Sequence, residues 1–196
     1  MNIRNTFSGT IFVLMLLAAS LLVSAGGGPS LPNGDFETGL SNWTLSNKAG
    51  DKLVCQGDNK HNDYEGLCGF LFKGNADSRA VLKNSASDTF VNTVNAATES
   101  SNLALEFDLF RYSESALTKL TFKAIAVLDD DTRIVGKHVS TGVTVGMRMT
   151  RASWIIVHGD PVVIPQGSTM TKFKIKILDK SNAGKQWIDM VDVGID

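Results

Sequence analysis

The chain has 196 residues, 43% of them hydrophobic and 20% charged, with 19 Lys+Arg against 20 Asp+Glu and a formal net charge of −1. That length suits one domain or two small ones, and the near balance of charge argues against nucleic acid or an anionic membrane surface as the main partner. Four Pro, two Cys and 18 Gly without a collagen period exclude a Pro-rich linker protein, a disulfide-dense scaffold and a triple helix.

At the N-terminus Arg4 precedes a nearly uninterrupted apolar stretch, residues 11–23, which ends at Ser24 and Ala25. A basic start, an apolar run shorter than the ~20 residues of a spanning helix, and a small-residue cleavage site are the parts of a secretory signal peptide. The expected organisation is a signal peptide over residues 1–25, a Gly-rich flexible leader over 26–32, and a single domain over 33–196. The product is expected to be secreted and free of the membrane after cleavage. Retention of the segment as an N-terminal anchor is the competing reading.

Export gives Cys55 and Cys68 a meaning, because in an oxidising compartment a disulfide is their default. Closing so short a loop contributes about 3 kcal/mol in the chain-entropy model. The bridge would pin a loop rich in turn formers, among them Gly57, Asp58, Asn59, Asn62, Asp63 and Gly66.

Beyond residue 30 the apolar pattern has a period of two. Leu103, Leu105, Phe107 and Leu109 share one face, opposite Ala104, Glu106, Asp108 and Phe110. Phe122, Ala124, Ala126 and Leu128 repeat the pattern, and Phe173, Ile175 and Ile177 alternate with Lys172, Lys174 and Lys176. Shorter β-rich runs cover 67–72, 134–139, 154–157 and 187–193, separated by turn clusters at 129–131, 142–146, 165–167 and 181–184. Many short antiparallel strands predict an all-β fold, an antiparallel β-sandwich or barrel. The outward lysine row beside outward Glu106 and Asp108 could form cross-strand ion pairs worth ~0–1 kcal/mol each, and the row is read as a solvated face in preference to an anion-binding site.

The two ends of the expected domain carry recognisable motifs. The opening reads Asn33-Gly34-Asp35-Phe36-Glu37, then Gly39-Leu40 and Trp43; the close reads Trp187-Ile188-Asp189-Met190-Val191-Asp192-Val193. This pairing resembles carbohydrate-binding modules of the family 4/9/22 type, with Met190 standing where the family has a second acidic residue. The resemblance implies a galactose-binding-domain-like jelly roll. It also implies a structural calcium ion held by Glu37, Asp189 and a carbonyl of the 33–35 turn. In the alternative, the two carboxylates cap strand ends or bond backbone amides.

Sugar recognition combines an aromatic platform with polar groups that read hydroxyls. Trp43 and Trp154 are expected in the core. Trp187 follows a polar loop and is expected at its exposed edge, while Tyr64 lies in the disulfide-pinned loop beside Asp63 and Glu65. Tyr112 shares a face with Asp108; if that face is concave, the two line a glycan groove with Arg111 near its end. His61, His138 and His158 belong to no catalytic motif, and GxSxG, HExxH and Gly-rich phosphate loops are absent. The resulting expectation is a secreted, non-catalytic carbohydrate-binding module for a polysaccharide or cell-surface glycan. A structural or adhesive protein using the same fold without sugar is the alternative, and a glycoside hydrolase is a further one.

Overall fold

The computed structural model describes residues 31–46, 50–59, 63–74, 79–142 and 154–195. The expected signal peptide, the first five residues of the expected leader and His61 lie outside the described residues. Within them the alternating runs become strands of two antiparallel sheets. In chain order the elements are β1 (Trp43–Ser46), β2 (Lys52–Cys55), β3 (Cys68–Phe72), β4 (Val81–Ser85), α1 (Asp88–Thr98), β5 (Leu103–Ser113), β6 (Lys119–Leu128), β7 (Arg133–Thr141), β8 (Ile155–His158), β9 (Val162–Ile164), β10 (Met170–Asp179) and β11 (Gln186–Ile195). The first sheet has the order β1-β4-β10-β6-β7; the second runs β2-β3-β11-β5-β8, with β9 also paired to β5.

The expected alternation puts one apolar set from each sheet into a shared core. Leu105, Phe107 and Leu109 of β5 meet Phe122, Ala124 and Ala126 of β6 and Phe173, Ile175 and Ile177 of β10, all buried. Phe107 packs edge-on against Phe122 with ring centroids 4.8 Å apart. Burying each large apolar side chain is worth ~1.5–3 kcal/mol, so this interior supplies the main stabilisation. The all-β antiparallel sandwich is the observed architecture.

One element departs from the expected strands. Helix α1 makes the crossover from β4 in the first sheet to β5 in the second. Ser87 caps it by accepting the Phe90 amide at 3.2 Å, and Phe90, Val94 and Thr98 face inward at helical spacing. The Asn95 side chain bonds both the amide and the carbonyl of Met170, which fastens the helix to the start of β10. Among the described residues no helix is long and apolar enough to cross a membrane.

The opening and closing motifs meet on β11. Its pairing with β5 shifts register between Asp189 and Asp192, and Met190 takes a positive φ of 47°. This bulge turns both Ile188 and Val191 inward. Gly34 lies against the bulge: its carbonyl accepts the Val191 amide at 2.9 Å, and a side chain there would collide with the Val191 carbonyl. Leu31 is buried and the Pro32 carbonyl accepts from Asn84, so residues 31 and 32, assigned by expectation to the leader, are part of the fold.

The disulfide Cys55–Cys68 forms, joining directly opposed residues of β2 and β3 with Cα atoms 4.0 Å apart. The expected lysine–carboxylate pairs do not form. Lys172, Lys174 and Lys176 lie on the outer face of the first sheet, whereas Glu106 and Asp108 lie on the outer face of the second. Packed sheets stand ~10 Å apart, so the interior separates the two groups.

Candidate functional site

The outer face of the second sheet carries an apolar cluster of its own. Val54 of β2, Leu71 of β3, Trp187 of β11, Tyr112 of β5 and Trp154 before β8 are buried there, and Tyr64 and Phe110 pack against them half-buried. Alternation explains the composition: the residues opposite the core-facing set on β5 and β11 are the aromatic ones. Tyr112 packs against Trp187 at 5.5 Å and Trp154 at 6.1 Å between ring centroids. Trp154 buries its Nε1 donor without an acceptor among the described residues. Such an unmet donor costs ~1–3 kcal/mol.

Tyr64 reaches this face because its loop is fastened from below. The Asp189 carboxylate accepts the amides of Tyr64 at 2.8 Å, Glu65 at 3.1 Å and Met190 at 2.7 Å. Glu37 Oε1 accepts the amides of Leu67 at 2.7 Å and Cys68 at 2.9 Å. Gly66 between them has φ of +82°, and a side chain there would strike the Glu37 carboxylate, so the turn admits glycine alone. Thus one acid from each motif, opening and closing, holds the 64–68 segment down over β11 and β5. The result is a stacked pair, Tyr64 on Phe110, with centroids 3.6 Å apart and planes 13° from parallel.

Polar groups flank the stack. The register sets Phe110 opposite Ile156, which is 48% exposed, and sets Asp108 opposite both His158 and Asp192. Asp108 lies two residues from Phe110 on the same face, about 7 Å along the strand. His158 Nδ1 is 3.8 Å from Asp108 Oδ2, and both side chains are open to solvent. Burial raises the Asp108 carboxyl above its usual range, Asp192 and Glu106 push it further, and His158 opposes them. Burial likewise pushes Asp189 up to about 7, against the pull of its three amide donors and with Asp63 adding to the rise. The face offers a ring surface, an aliphatic edge, two acceptor carboxylates and an imidazole, which is the chemistry that reads a pyranose ring and its hydroxyls.

No family model matches the sequence, and no curated protein matches it. Solved structures do share its shape. The module TmCBM61, solved in complex with beta-1,4-galactotriose, superposes with a TM-score of 0.54 at 16% identity, covering 85% of this chain and 97% of that one. The chain has the fold of a carbohydrate-binding module. The enzymatically active domain of bacteriophage CBA120 tailspike protein 4 gives a TM-score of 0.53 at 12% identity over 85% of this chain, which spans only 21% of that protein. A xylan-binding domain of CBM 22 gives 0.49 at 14% identity, covering 88% of this chain and 96% of that one.

Within this module fold the expected site residues separate. Tyr64 and Asp108 stand together on the outer face of the second sheet, as the strand pattern requires. Tyr112 is on that face but is 4% exposed, covered by Trp154, so it supports the platform from beneath instead of lining a groove. Trp187 is fully buried in the same cluster; the expected loop-edge position is corrected, because the outer face of its strand is roofed by neighbouring side chains. Trp43 is in the core, its Nε1 donating to the Asn33 carbonyl at 2.7 Å, whereas Trp154 is buried in the outer cluster and not the main core.

Arg111 is corrected outright. It faces inward, fully buried, with Nε donating to Gln186 at 2.8 Å and its two terminal nitrogens donating to Ser140 at 2.7 Å and Thr118 at 2.9 Å. Gln186 in turn donates to buried Asp179 at 2.7 Å. Burial lowers the guanidinium to about 10, with Asp179 opposing the change. This network ties the sheets together and touches no open surface.

Glu37 and Asp189, the side chains that the resemblance assigns to calcium, have the amide partners described above. Among the described residues no group of three or more His, Cys, Asp or Glu side chains lies together in a metal-holding arrangement. Phe110, Ile156, His158 and Asp192 are the site residues that sequence reasoning passed over. Phe110 was legible from its alternation with Asp108, whereas the other three depend on strand pairing and on the bulge.

Proposed function

We propose that this chain is an exported, non-catalytic carbohydrate-binding module whose glycan rests on the outer face of the second sheet. The observation that carries the proposal is the Tyr64–Phe110 stack, half-exposed and bordered by Ile156, Asp108, His158 and Asp192. The C–H face of a sugar ring stacks on Tyr64, while the carboxylates accept from hydroxyls on the same side. The module fold shared with a galactotriose-binding domain supports a neutral poly- or oligosaccharide as the partner class.

A panel of immobilised neutral polysaccharides tests the proposal with the full chain and with Tyr64→Ala. Retention by at least one polysaccharide is expected, weakened about tenfold or more by the substitution, which corresponds to ~1.4 kcal/mol. Retention unchanged by Tyr64→Ala, or none on the panel, overturns it. The cross-strand pair Asp108 and Asp192 is the arrangement on this face that favours hydrolysis instead, since glycosidases work with two facing carboxyl groups. Release of reducing ends that disappears in Asp108→Asn would establish that second reading.

A further inference from the structure

The outer face of the first sheet concentrates positive charge to an unusual degree. Strands β1, β4, β6, β7 and β10 contain Lys83, Lys119, Lys123, Lys137, Lys172, Lys174, Lys176 and Arg133, and their single acid, Asp179, is buried. The pairing aligns four of these lysines. Lys83 is opposite Lys176, Lys176 is opposite Lys123, and Lys123 is opposite Lys137. Like charges placed directly opposite one another are unfavourable in a sheet, yet this one sets four abreast on four adjacent strands. At ~4.8 Å between strands the ammonium row runs about 14 Å straight across the sheet. Burial, then the neighbouring Lys174, Lys83, Lys123 and Arg133, hold the Lys176 ammonium below the ordinary lysine range, which marks the row as crowded and uncompensated.

We propose that this row is a second binding surface, independent of the Tyr64–Phe110 face, and that its occupant is a linear acidic polysaccharide lying across the strands. Charge complementarity calls for a polyanion, and the shape of the cationic track selects its kind. The four aligned lysines make one file across the strands, crossed on β10 by Lys172 and Lys174, and beside it Val135 and Val139 are 50% and 41% exposed. A one-dimensional chain of carboxylates follows such a track, and its ring faces rest on the aliphatic borders. Single-stranded nucleic acid needs aromatic side chains on which bases stack, and the register places none on this face. A lipid surface is met by protruding aromatic and leucine side chains around a broad basic field, and here Val135 and Val139 are short. The overall charge of −1 conceals the surface, because 20 Asp and Glu residues balance 19 Lys and Arg over the whole chain, and some of those acids, among them Glu106, Asp108 and Asp192, lie across the sandwich.

The test uses the full chain, with polygalacturonate as the acidic probe and its fully methyl-esterified form as the neutral control, in affinity electrophoresis. Expected is binding to polygalacturonate at about 50 mM salt that weakens steeply by about 200 mM, and loss of that binding on esterification. The triple substitution Lys83→Gln, Lys123→Gln and Lys176→Gln should weaken it tenfold or more with thermal melting unchanged. The separate substitution Lys137→Gln should weaken it less, in the same direction, and supplies the comparison if the triple variant melts early. Tyr64→Ala should leave it unaltered, so that failure here and failure of the neutral-glycan proposal are told apart. Absence of binding at low salt, equal binding of the esterified polymer, indifference to the lysine substitutions, or tighter binding of anionic phosphatidylglycerol vesicles or a single-stranded oligonucleotide would each overturn the assignment.

Discussion

Replacing Asp189 by Asn tests how the loop that carries Tyr64 is held. Asp189 is fully buried, and its carboxyl moves from an ordinary 3.8 to about 7, burial being the first cause. In an unfolded chain it keeps its ordinary value. Between about pH 4 and pH 7 the folded protein therefore binds a proton that the unfolded chain has released, and stability falls as pH rises through that window. At 1.36 kcal/mol for each tenfold change in acidity, the loss amounts to at most on the order of 4 kcal/mol. In a chain of this size it corresponds to a drop in melting temperature of roughly 8–16 °C. The Asn side chain keeps the size and one acceptor oxygen for the Tyr64 and Glu65 amides but has nothing to ionise. Thermal melts of both proteins from pH 4 to pH 8, followed by circular dichroism, should show the wild-type curve falling more steeply than that of Asp189→Asn. The two should differ by several degrees at pH 8 more than at pH 4. Parallel pH profiles would refute the reasoning, as would a wild-type melting temperature that rises over this window relative to the variant's.

Two further perturbations probe the remaining buried polar groups. Arg111→Ala leaves Gln186, Ser140 and Thr118 without their donor and should cost about 3–5 kcal/mol in urea unfolding, whereas Arg111→Met, which fills the space with an apolar side chain, should cost clearly less; equal losses would mean that refilling the space recovers nothing and that the unpaired acceptors carry the whole cost. Excess EGTA should leave the melting temperature unchanged within about 1 °C, because Glu37 and Asp189 are satisfied by five backbone amides; a fall of several degrees would instead favour the structural calcium that the opening and closing motifs imply.

What was legible in the sequence follows from which contacts are local. The period of two in 103–110, 122–128 and 172–177 reports burial of one strand face, and those runs became β5, β6 and β10 with their inner faces as read. Helix α1 was hidden because Phe90, Val94 and Thr98 carry only a sparse apolar stripe amid Thr, Asn and Val, residues of weak helix propensity. The bulge at Met190 hid the true alternation of β11, since one inserted residue turns Ile188 and Val191 to the same side. Arg111 follows the period of Leu105 and Leu109, and the periodicity alone places it inside; its charge argued for the surface, and the acceptors that make burial tolerable come from 7 to 75 residues away. Trp187 and Tyr112 were legible as outward-facing but not as covered. Alternation tells which face a residue takes, not what roofs that face, and here the 64–68 segment and Trp154 come from distant parts of the chain.

The aligned lysines on the outer face of the first sheet and Glu106, Asp108 and Asp192 on the outer face of the second give the two faces of the sandwich local charge of opposite sign. A nearly neutral protein of this kind is not electrically silent: in the field close to a charged wall it rotates before it touches, so that its first contact is already oriented. The same asymmetry predicts behaviour on ion-exchange media that net charge alone does not, namely retention at low ionic strength by resins of either sign, each through one of the two faces.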